Sequence, residues 1–75
     1  MDPDNLDRAA WAHKALLTFM TETGQQGPDM EEALQDLITD LLHLANREGF
    51  NVLHLLQRAT LVFCDEASEK EEKIQ

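Results

Sequence analysis

Seventy-five residues, with six basic side chains against fifteen acidic ones, make one small domain of formal charge −9. That balance excludes a surface built to grip phosphate, because a nucleic acid would be repelled before contact. The lone cysteine, Cys64, excludes an internal disulfide, and no Cys/His spacing of a zinc site is present.

A chain this short buries only about 60% of the surface its unfolded form exposes, so it needs a staple. With disulfide and zinc set aside, self-association is the staple left, and a homodimer is expected. The opening residues Met1-Asp2-Pro3-Asp4-Asn5 are polar and acidic, unlike the basic start and apolar run of a secretory signal. No apolar stretch approaches the roughly 18–20 residues of a membrane span. A cytoplasmic protein without membrane contact is the expectation, and one unpaired thiol fits a reducing compartment.

In chain order, the pattern predicts an all-α fold. Helix one is expected over 5–23. Asp4 or Asn5 caps it, and Asp7 complements the dipole of its first turn. Leu6, Ala10, Leu17 and Met20 recur at helical spacing with Ala9, His13 and Leu16 alongside, while Trp11 and Phe19 lie off that stripe. Gly24 is a fitting stop, and Gln25-Gln26-Gly27-Pro28 reads as a loop.

Helix two, over 30–48, is the clearest element. Asp29 and Glu32 form a capping-box-like start. Met30, Ala33, Leu34, Leu37, Ile38, Leu41, Leu44 and Ala45 make one wide apolar face. Gly49 ends the helix, with Phe50 placed to fold back on its last turn. Asn51 then caps helix three, expected over 52–67, and Phe50 and Leu55 form a hydrophobic staple across that start. Val52, Leu55, Leu56, Ala59 and Phe63 read as its inward face. The Glu/Lys-rich stretch 68–75 reads as a frayed acidic tail with only Ile74 to bury. The short connection makes helices two and three an antiparallel hairpin, covered by helix one: a three-helix bundle.

Helix three carries more apolar residues than one face accommodates. Leu53, Leu61 and Val62, with Cys64, are left over and read as an interface. On helix two, Glu32, Asp36, Asp40, His43 and Arg47 project as one polar stripe and read as the contact for a protein partner, a basic one by charge complementarity. The same carboxylates and imidazole are also the residue types that hold a divalent cation, but one helix rarely supplies a whole site. No catalytic residue, metal site or cofactor is assigned. His13, His43 and His54 fall on three different helices, and the acidic neighbours Asp65-Glu66 disfavour a nucleophilic role for Cys64. Trp11 with Arg8 lacks the basic surround of a nucleic-acid platform.

Two resemblances follow from these residues. The segment Leu34-Gln35-Asp36-Leu37-Ile38-Thr39-Asp40-Leu41-Leu42-His43-Leu44-Ala45-Asn46-Arg47-Glu48-Gly49 resembles the third-helix region of MazG-type all-α nucleotide pyrophosphohydrolases, which hold magnesium with acidic groups from two helices. The aspartate of that family's ExxD motif matches Asp36. Its glutamate position is Ala33, and Glu31-Glu32-Ala33-Leu34-Gln35, which approximates the EExxE motif, lies on another helix than the family's. The resemblance implies a helical hairpin and, as an alternative function, a degenerate magnesium-dependent pyrophosphohydrolase. The pattern Asp36-Leu37, Asp40-Leu41, His43-Leu44-Ala45, Arg47-Glu48-Gly49, then Leu56, Arg58-Ala59 and Phe63, is similar to short helical proteins of bacterial plasmids and prophages. Small size, acidity and helical fold also resemble anti-CRISPR and other DNA-mimic inhibitors. That likeness implies a small acidic protein-binding module occupying a basic surface of a nucleic-acid-binding complex. A structural subunit docking through helix three is the third reading.

Overall fold

The computed structural model describes the backbone of residues 4–25 and 29–71, and the side chains of those residues as far as Ser68. Three helices follow in order: α1 (Asn5–Thr23), α2 (Met30–Arg47) and α3 (Val52–Glu71). Every pair of helices touches, giving a three-helix bundle, and the described residues contain no strand.

Local chemistry sets each end. The Asp4 carboxylate accepts from the Asp7 amide at 2.9 Å, and the Asp7 carboxylate accepts from the Asp4 amide at 3.3 Å, a reciprocal box that satisfies two free donors. Asp29 accepts from the Glu32 amide at 3.1 Å, and Asn51 accepts from the His54 amide at 3.0 Å. Both inter-helix connections begin with a Schellman ending. Gln25 N donates to Met20 O at 2.9 Å and Gly24 N to Thr21 O at 3.3 Å. Phe50 N donates to Ala45 O at 3.0 Å and Gly49 N to Asn46 O at 3.1 Å. Gly49 adopts φ +83°, where a Cβ would meet no atom within 4 Å. Its requirement is therefore backbone conformation alone. Gly49→Ala is expected to lower unfolding free energy by about 1 kcal/mol with unchanged helix content. Urea titration followed by circular dichroism checks it.

Helix α3 runs past the expected stop near Ala67 to Glu71. Glu, Lys and Ala tolerate the helix well, so the charged composition does not end it. Residues 72–75 of the expected tail and 26–28 of the expected loop lie outside the described residues.

The expected apolar face of α1 holds only in part: Leu16 and Met20 belong to it, but Phe19 joins them from outside the expected stripe. Leu16 is buried, Phe19 and Met20 are half-buried, and Asn5 and Arg8 join that side, whereas Leu6 (80% exposed) and Leu17 stay in solvent. The covered stripe is displaced from the expected one by about one residue, or about 100° of helix. Alternative stripes were present in the sequence. The one beginning at Asn5 and Arg8 carries the polar ties to α3: Asn5 Nδ2 donates to the Glu66 carbonyl at 3.1 Å, and Arg8 Nε pairs with Glu66 Oε2 at 3.3 Å.

Burial is sparse. Among the described residues only Leu16, Ala33 and Ala45 are buried. The two alanines flank the leucine stripe of α2, about 120° apart by helical geometry, with Leu34 and Leu41 between them and exposed. The Cα radius of gyration is 14.3 Å, against about 11 Å for a compact domain of this length. The bundle is open.

Candidate functional site

The opening lies between α2 and α3. Ile38, Leu41 and Leu42 on one helix and Leu55, Leu56, Ala59, Thr60 and Phe63 on the other line a cleft of about 330 Å³. Earlier residues of α3 lie nearest the end of α2, as an antiparallel hairpin requires. The walls carry no charged side chain. The Thr60 hydroxyl is spent on its own helix, donating to the Leu56 carbonyl at 2.9 Å.

This corrects the expected inward face of α3. Leu55, Leu56, Ala59 and Phe63 are all exposed, Phe63 at 65%. The polar ties of Gln25 to Asp36, and of Asn5 and Arg8 to Glu66, join elements through other residues than these. Long apolar side chains midway along α2 and α3 are left with a gap between them. The three residues expected to form the interface are exposed too: Leu53 at 78%, Leu61 and Val62 above half. None of them lines the cleft. Residues expected on the inward face therefore form the open cleft, with only Val52 of that set half-buried. The signal was available as a surplus: α2 and α3 together hold more leucine than a single further helix, α1, can cover.

Of the acidic stripe, Glu32, Asp40, His43 and Arg47 are exposed and Asp36 is half-buried. Glu32, Asp36 and Asp40 centre roughly 140° around α2 from Leu34 and Leu41, on the other side of the helix. The Gln25 amide donates to Asp36 Oδ2 at 2.8 Å, so Asp36 belongs to the α1–α2 joint as well as to the stripe. Among the described residues no three of His, Cys, Asp or Glu come together as a metal-binding group. The histidines stay on separate helices, and Cys64 is exposed.

A second concavity, about 390 Å³, sits at the α2–α3 corner, lined by Phe50, Asn51, His54, Leu55 and Arg58. Phe50 and Leu55 share its wall, where the staple across the α3 start was expected. His54 and Arg58 place the imidazole and one of the few cations beside it, a neighbourhood sequence reasoning missed because the two side chains lie one turn apart on a helix read only for its apolar face.

The Arg8–Glu66 pair is partly solvated, with side chains 39% and 31% exposed. Such pairs contribute little, so Glu66→Gln is expected to cost no more than about 1 kcal/mol, and less at high salt. Chemical denaturation in urea at two ionic strengths measures it. No described helix is long and apolar enough to cross a membrane.

No family model, curated protein or solved structure matches this chain.

Proposed function

We propose that the chain is a small acidic protein-binding module. The carrying observation is the α2–α3 cleft and its flanking leucines, an exposed apolar surface of the kind that serves protein contacts. The acidic stripe on the far side of α2 steers partners: at net charge −9 it attracts a basic surface and repels nucleic acid. The surface the stripe would occupy is that of a nucleic-acid-binding protein, as in the acidic inhibitors of mobile elements that share its small size, acidity and helical fold.

The magnesium-dependent alternative has less support. Metal-assisted phosphate chemistry needs carboxylates converging from more than one element, and the Asp36 carboxylate is engaged by Gln25.

The test is calorimetric titration of the chain into purified proteins with basic nucleic-acid-binding grooves, at low and high salt. Binding that weakens with salt and competes with nucleic acid is the expected result. Absence of binding across such proteins at low salt overturns the inhibitor reading.

A further inference from the structure

We infer that the occupant of the α2–α3 cleft is a second copy of this chain, paired about a two-fold axis. The inference rests on the protein-binding reading and names the partner of its apolar face. Three observations support it.

The first is area. Ile38, Leu41, Leu55, Leu56 and Phe63, all lining one cleft, are between 38% and 65% exposed. A stable interface needs about 800 Å² from each partner. Large apolar side chains exposed on both walls of one cleft are the surface from which such an interface is built, as expected where the interface doubles as the core.

The second is the poverty of the single-chain core. With Leu16, Ala33 and Ala45 alone buried among the described residues, the cover over Ile38, Leu41, Leu55, Leu56 and Phe63 must be present whenever the chain is folded. A partner that is always present at the site of synthesis is another copy, and obligate dimers couple folding to association in this way.

The third is charge. Two chains of −9 repel each other, yet the cleft walls are uncharged, and Glu32, Asp36 and Asp40 lie on the other side of α2. A two-fold axis brings the same patch against itself. Through this cleft it does so without opposing like charges at the contact. Repulsion then acts only at longer range, where salt screens it.

That sets the sign of a discriminating test. Light scattering and sedimentation are run on the purified full chain from low micromolar to submillimolar concentration, at low and high sodium chloride, alongside thermal melts. The inference expects twice the 8.5 kDa chain mass, a melting temperature that rises with concentration, and tighter pairing at higher salt. A basic partner would instead be held more weakly at higher salt. A folded, cooperatively melting monomer at every concentration overturns the inference. So does a chain that folds only when another protein is added. If such a monomer still binds basic proteins, the self-pairing fails and the protein-binding reading stands. A salt-strengthened dimer that binds no basic protein supports the self-pairing and removes the inhibitor reading.

Discussion

Phe63→Asp is expected to abolish pairing. Phe63 lines the cleft and is 65% exposed in the single chain, so the substitution relieves no packing within it. In a two-fold interface the change appears twice. A buried aromatic anchor contributes about 2 kcal/mol or more, and a carboxylate in an apolar contact adds desolvation cost, so the dimer dissociation constant should rise by more than about a thousandfold. Because the account couples pairing to folding, helix content should fall at low micromolar concentration and recover, if at all, only at high concentration. Circular dichroism against concentration, with sedimentation in parallel, reads both. Leu53→Gln and Leu61→Gln supply the comparison: both residues are exposed but off the cleft walls, so each should weaken pairing about tenfold or less. Equal effects from all three substitutions would move the interface to the outer side of α3.

The second large effect is electrostatic. Glu32→Gln, Asp36→Asn and Asp40→Asn together remove three charges while keeping side-chain shape. The carboxamide introduced at position 36 retains an oxygen to accept from the Gln25 amide, which donates to Asp36 at 2.8 Å in the native chain, so the α1–α2 joint should hold. Exposed charges contribute fractions of a kcal/mol each and act largely on the association rate. Affinity for a basic protein should fall about tenfold at low salt, and the gap should close at high salt. Stopped-flow association rates check the mechanism, since the loss belongs in the on-rate. Unchanged binding with intact fold would exclude the stripe as the contact. The same triple variant should pair with itself more tightly than the native chain, because the repulsion between copies is reduced.

The elements of the fold were legible because their signals are local. Asp4, Asp29 and Asn51 cap the helices, and Gly24 and Gly49 end them; side-chain chemistry within four residues decides each. The stop of α3 was placed too early because a charged tail resembles a frayed end, although its residues are good helix formers. Which stripe of α1 is covered was not legible. Both the stripe through Leu17 and the one through Leu16 satisfy helical spacing, and the choice rests on a long-range tie from Asn5 and Arg8 to Glu66. The site was half legible. The surplus apolar surface of α3 could be counted, and it pointed to a partner. Its location could not, because periodicity ranks faces by hydrophobicity and carries no information on how far apart two helices stand. The α2–α3 cleft is such a separation, and Leu55, Leu56 and Phe63 changed from expected core to open wall through it.

The most direct test of the protein-contact surface is methyl NMR on the associated protein with a soluble paramagnetic relaxation agent. The methyls of Ile38, Leu55 and Leu56 should be shielded once the second copy is bound, while those of Leu6, 80% exposed on α1, should relax as solvent-facing groups. If Ile38, Leu55 and Leu56 are already shielded in a folded single chain, the cleft is closed within the monomer and the account is contradicted.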